Sequence, residues 1–97
     1  MTYKENVLRV LKEYSEEFGS KYGILSLGVF GSVAQDCSSE VSDVDVVVRL
    51  KKPSLFTLSG IRLDLEERLH KHVDIVNLRD RMNPFLKGRI ERDACYV

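Results

Sequence analysis

The sequence predicts a small α/β (α+β) domain: a mixed β-sheet packed against helices, built as a single unit over residues 1–97. Three observations carry this. Apolar residues recur at helical spacing in two long polar-rich stretches, 4–19 and 54–70. Three short runs rich in β-branched residues fall between and after them. The two kinds of segment interleave along the chain, which is the pattern of helices laid on a sheet.

Each element has a local reason. In residues 4–19, Val7, Leu11, Tyr14 and Phe18 share one helical stripe while Lys4, Glu5, Lys12, Glu13, Glu16 and Glu17 cover the rest, and Gly19 is the expected stop. Ile24 to Phe30 reads as a strand with Leu25, Leu27 and Val29 alternating onto one face. Gly31-Ser32 ends it, and the small polar residues 33–41 suit a short helical turn and a loop. Val44 to Leu50 is a second strand, apolar on both faces in its middle, as a central strand covered on each side should be. Lys51-Lys52-Pro53 closes it. Ser54 then caps a helix running to about His70, with Leu58, Ile61, Leu65 and Leu69 buried. His72 to Asn77 is a third strand. Asn83-Pro84 is an N-cap followed by proline at the first helical position, opening a short helix to about Ile90. Ala94 to Val97 closes the chain as a short strand.

The composition excludes several classes. With 43% hydrophobic and 31% charged residues the chain has the balance of a folded globular protein. A formal net charge of zero leaves no basic field to hold a nucleic acid through its phosphates, although a small phosphorylated ligand needs only local groups. Met1 to Lys12 is charged and lacks the apolar centre of a signal peptide, and no run approaches the roughly 18 apolar residues of a membrane span. Cys37 and Cys95 form neither a disulfide framework nor a paired metal motif, so a cytoplasmic protein with free thiols is expected.

The chemistry is concentrated in the carboxylates. Asp43 and Asp45 lie two apart at the start of the second strand and point to the same side. Asp74 sits in the third strand, and in the right register it joins them. Two unit charges about 6 Å apart repel by roughly 3 kcal/mol at an effective dielectric near 20. Three such pairs approach the whole stability of a domain, about 5–15 kcal/mol. Relief comes from protonation or from a divalent cation bound by hard oxygen ligands. An EF-hand loop is excluded, because Val47 and Val48 stand where it needs an oxygen ligand and a glycine. Gly31 allows close backbone approach to a ligand, and the Ser32 hydroxyl can add a hydrogen bond.

Gly31-Ser32, then Ser42-Asp43-Val44-Asp45, then Asp74 in a later apolar strand, resembles the nucleotidyltransferase superfamily of the DNA polymerase beta type. Length and element order look like its minimal nucleotidyltransferase (MNT) branch, whose members often act as antitoxins of HEPN-domain toxins. The resemblance implies that Gly31, Ser32 and Ser42 hold the nucleotide. It implies that Asp43, Asp45 and Asp74 are catalytic and bind two Mg²⁺ ions, with Asp74 helping to deprotonate the acceptor. It also implies transfer of AMP from ATP to a hydroxyl, a tyrosine of the HEPN partner in the antitoxin members. One departure is visible: Gln35 and Asp36 follow Ala34 where many relatives carry a basic residue and glycine. Two rival expectations follow: a weakened module that neutralises or regulates its partner by contact, and transfer to a small molecule such as an antibiotic. Either a homo- or a hetero-oligomer is compatible with the sequence. His72 reads as a structural or surface histidine, with a metal or acid/base role as the alternative, and Arg79, Arg81, Lys87, Arg89 and Arg92 read as a solvated basic face, with contact to a partner or nucleotide as the alternative.

Overall fold

The computed structural model describes residues 2–35 and 43–97. Its elements in chain order are α1 (Tyr3–Tyr22), β1 (Ile24–Phe30), α2 (Gly31–Ala34), β2 (Val44–Leu50), α3 (Leu55–Leu69), β3 (Val73–Asn77), α4 (Pro84–Asp93) and β4 (Cys95–Tyr96). Among the described residues no helix is long and apolar enough to cross a membrane.

Helix starts are set by local capping. The Thr2 hydroxyl accepts from the Glu5 backbone N–H at 3.1 Å, satisfying one of the amides that a helix start leaves open. Ser54 does the same for Thr57 at the start of α3, and the Asn83 side chain accepts from both Phe85 and Leu86 at the start of α4. The expected stop of α1 at Gly19 is overturned. The helix runs on to Tyr22, and Gly23 takes the left-handed conformation (φ 64°) with its N–H donating to Gly19 O. The extra turn is held by side chains: the Phe18 and Tyr22 rings stack with centroids 5.6 Å apart, and the Lys21 ammonium lies 5.4 Å from the Tyr22 ring.

The four strands form one sheet in the order β3-β2-β1-β4. β1 pairs antiparallel with both β2 and β4, while β2 pairs parallel with β3. A parallel pair needs a crossover, and α3 supplies it. The sheet has two covered faces. Val44, Val46, Val48 and Leu50 of β2 pack with Val7, Leu11 and Tyr14 of α1 and Ile61 and Leu65 of α3. On the other face Phe30 and Val47 pack with Ile90 of α4. This two-sided burial is why the middle of β2 is uninterrupted valine, as the sequence predicts.

One strand residue is misplaced by simple alternation. Leu25 was expected beside Leu27 and Val29 on the buried face, but its side chain is 62% exposed. A bulge between Ile24 and Ser26 leaves Leu25 without a partner in β2 and brings Ile24 opposite Leu50 instead. Ile24 therefore joins the core in its place.

Candidate active site

The register of three strands builds the site. Phe30 of β1 lies opposite Asp45 of β2, and Asp45 lies beside Asp74 of β3. Residues paired directly across a sheet share a face, so Phe30, Asp45 and Asp74 form one row. That row is on the α4 side, because Phe30 and Val47 both point there. Asp43 precedes the strand by one residue and is exposed at the rim, two positions before Asp45. The juxtaposition that depended on register is thus present: Asp45 and Asp74 are lateral neighbours, with Asp43 next along the same side.

Asp43 and Asp74 are close enough to share a ligand. One carboxylate oxygen from each, together with a ring nitrogen of His72, lie within 4.8 Å of one another. His72 is exposed, as expected, but it is more than a bystander. Its Nε2 is 3.3 Å from Asp74 Oδ1, and its Nδ1 is 3.1 Å from Glu66 Oε2. Glu66 Oε2 also accepts the Val73 backbone N–H at 2.9 Å. That hydrogen bond, foremost, keeps the Glu66 carboxyl below the usual carboxylate range; burial opposes it, and Arg62 and His72 add to the lowering. The signal for His72 was its spacing, two residues before Asp74 on the same face; the partner Glu66 comes from α3 and was not visible in the sequence.

Asp45 is the least solvated of the acids. Burial pushes its carboxyl up from the ordinary range, and the neighbouring Asp74 charge adds to this; Arg89 opposes, and Asp43 contributes a further push upward. Gly31 follows Phe30 directly and sits at φ 69°. A side chain there would run into the Asp45 carboxyl group, so both the backbone conformation and the space require glycine. Ser32, half-buried, follows in α2, whose turn is closed by the Gln35 N–H donating to Gly31 O at 3.1 Å. The Gln35 side chain donates to Asp93 Oδ2 at 3.0 Å, joining α2 to the end of α4. Ser42, Cys37 and Asp36 lie outside the described residues.

The donor set suits a hard divalent cation. Asp43 and Asp74 each bring a carboxylate oxygen, and His72 a ring nitrogen, within reach of one ligand, with Asp45 beside Asp74 in the row; a cation there would offset the Asp74 charge that adds to the effect of burial on Asp45. The basic residues nearest in sequence do not serve this end of the sheet. Arg49 Nη2 lies 3.7 Å from Asp80 Oδ1, and Lys51 and Lys52 line a recess with Tyr22 and Gly23. At about 3.3 Å per strand residue that recess is about 20 Å from Asp45.

Known proteins resemble this chain in sequence and in fold. The family model described as "Nucleotidyltransferase domain" matches residues 11–97. A candidate protein adenylyltransferase of Methanocaldococcus jannaschii is 30% identical over 92 residues, covering 94% of each chain. Protein adenylyltransferase MntA of Thermococcus cleftensis is 29% identical over 94 residues, covering 96% of this chain and 94% of that one. A solved candidate minimal nucleotidyltransferase superposes with a TM-score of 0.77 at 32% identity, over 98% of this chain and 95% of its own. The fold also matches a structure of a tri-AMPylated Shewanella oneidensis HEPN toxin in complex with its MNT antitoxin, with a TM-score of 0.61 at 16% identity, over 96% of this chain and 66% of that one.

Proposed function

The chain belongs to the nucleotidyltransferase domain family, and on that premise we propose that it moves AMP from ATP onto a hydroxyl, a tyrosine, of a HEPN-domain partner and so acts as the antitoxin of a toxin–antitoxin pair. The observation that carries this reading is the row Asp45–Asp74 with Asp43 beside it, packed against Gly31. The names of the relatives support the protein acceptor, and the AMPylated HEPN toxin in complex with an MNT antitoxin supports the partner.

In this reading Asp43, Asp45 and Asp74 would hold two Mg²⁺ ions, which would supply charge neutralisation for the phosphates and for the charge that develops on transfer. Gly31 and Ser32 hold the triphosphate, with Ser42 at the edge of the same site. Asp74, the more exposed of the paired acids, takes the proton of the acceptor hydroxyl. The hydroxyl oxygen forms a bond to the α-phosphorus as the bond to the bridging oxygen breaks. Pyrophosphate leaves with that electron pair. Phosphoryl-type transfer of this kind asks for positioning and electrostatic stabilisation more than covalent chemistry, and paired strands fix Asp45 and Asp74, with Asp43 one residue before β2.

The test is incubation with ATP labelled at the α-phosphate, Mg²⁺ and the HEPN-domain protein encoded beside it. Label on a partner tyrosine that disappears in Asp43→Ala supports the reading. A tight complex that protects from the toxin with no label transferred refutes it in favour of neutralisation by contact. Label on an added antibiotic and none on protein refutes the protein acceptor.

A further inference from the structure

A leaving pyrophosphate gains negative charge beside three carboxylates, so a protein cation at the phosphate end of the site would favour its departure. Several basic residues are engaged or distant. Arg49 is beside Asp80, and Lys51 and Lys52 are at the other end of β2. On α4, Lys87 donates to Asp80 O at 3.2 Å, and Arg92 pairs with Asp93 at 3.4 Å. Arg89 differs. Among the described residues it has no carboxylate or carbonyl partner. Its guanidinium instead lies 5.8 Å over the Phe30 ring.

That position is specific. Phe30 is the first member of the row Phe30–Asp45–Asp74 and the residue before Gly31. Arg89 precedes Ile90, which is fully buried against Phe30 and Val47, so the helix is anchored one residue from the arginine. The Gln35–Asp93 hydrogen bond fastens the same helix to α2. The arginine is held over Phe30, the first residue of the row, by two independent contacts of α4 and by its own approach to that ring. We infer that Arg89 is the triphosphate-binding cation of this site, its guanidinium donating to the β- and γ-phosphates and to the departing pyrophosphate. The inference rests on the AMP-transfer reading above and assigns to it a residue that the sequence placed on a solvated face. An arginine suits the role because its planar fork meets phosphate oxygens two at a time.

Nucleotide affinities in Mg²⁺, measured by calorimetry on the folded full chain, test this with ATP and AMP as probes. Charge-assisted hydrogen bonds of this kind carry about a ten- to hundredfold effect, so Arg89→Ala is expected to weaken ATP by that factor. AMP, which lacks the β- and γ-phosphates, should keep its affinity within about twofold. Arg89→Lys should recover part of the ATP affinity, as a point charge without the fork. Lys52→Ala, at the far end of the sheet, should bind both nucleotides as the natural chain does. The inference is overturned if Arg89→Ala binds ATP normally. It is equally overturned if Arg89→Ala loses ATP and AMP together with a lowered melting temperature, which would mark a structural role. A natural chain that binds neither nucleotide refutes the AMP-transfer reading itself, a separate failure recognisable without any variant.

Discussion

Replacing Asp45 by asparagine should make the cation-free protein more stable, although it removes a residue of the proposed site. Adjacent strands are about 4.8 Å apart, so the carboxyl groups of Asp45 and Asp74 lie on the order of 5–6 Å from each other. At an effective dielectric near 20 the repulsion is about 3 kcal/mol. The Asp74 side chain is 55% exposed, and solvent screening reduces this to roughly 1 kcal/mol. Removing the partly buried Asp45 charge adds to the gain, and losing its attraction to Arg89 subtracts from it. A net gain of about 1 kcal/mol raises the melting temperature by roughly 4–8 °C in a chain of this size.

The pH dependence gives the sign. Asp45 has a folded-state carboxyl raised above its ordinary value of 3.8. Its favourable contribution is therefore present below that value, where it is protonated in both states, and is lost as pH rises through the raised folded one. The natural chain and Asp45→Asn should melt alike near the acid end and diverge toward neutrality. Mg²⁺ should reverse the order, since a ligand at 100 times its dissociation constant stabilises by about 2.7 kcal/mol and the variant has lost a ligand oxygen charge. Thermal melts in EDTA and in Mg²⁺, at acid and neutral pH, read all of this. An Asp45→Asn protein that melts below the natural chain in EDTA at pH 7 would refute the electrostatic reasoning.

Other substitutions probe the supports. Gly31→Ala must place a methyl against the Asp45 carboxyl at a left-handed backbone position; a loss of about 1–3 kcal/mol in denaturant unfolding is expected, with AMP transfer abolished. Tyr14→Phe deletes a buried hydroxyl that donates to Asp64 at 2.8 Å, which should cost about 1.5–3 kcal/mol because the acceptor is charged, and leave nucleotide affinity unchanged. Glu66→Gln removes a carboxyl held below its usual range; the natural chain's stabilisation from it is present above that range and lost as pH falls, so the variant's melting curve should be flatter on the acid side.

The fold was legible wherever one physical rule governed a segment. Valine on both faces of β2 could only mean a strand covered twice, and Asn83-Pro84 could only open a helix. Legibility failed where a tertiary contact outvoted a local signal. Gly19 is a natural stop, yet ring stacking between Phe18 and Tyr22 carries α1 past it. Leu25 alternates correctly, yet the bulge that turns it outward is a property of its pairing with β2. The site divides the same way. Asp43, Asp45 and Asp74 could be placed together from strand alternation and a register assumption. Glu66 and Arg89 could not, because they arrive from helices whose approach to the sheet is set by packing. Glu66 reaches His72 from α3, and Arg89 reaches Phe30 through the burial of Ile90.

The valines that follow Asp43 and Asp45 explain how acids are tolerated at the start of β2. Val44 and Val46 point into the core formed with α1 and α3, while Asp45 shares the opposite face with Val47. Val47 is fully buried in the cluster that holds Ile90 of α4, but Asp45, two residues earlier, is only partly covered and Asp43 is exposed. The strand thus leaves its second covering layer within the length of one alternation. The valines anchor the backbone from below, so the acids above need no burial of their own to be held in position. Their repulsion is then not a defect of packing but a standing affinity: a rigid row of like charges, open on one side, is stabilised by cations that enter it, and those cations can in turn hold phosphates. A small chain can hold such a row because the strands that build it are also its core.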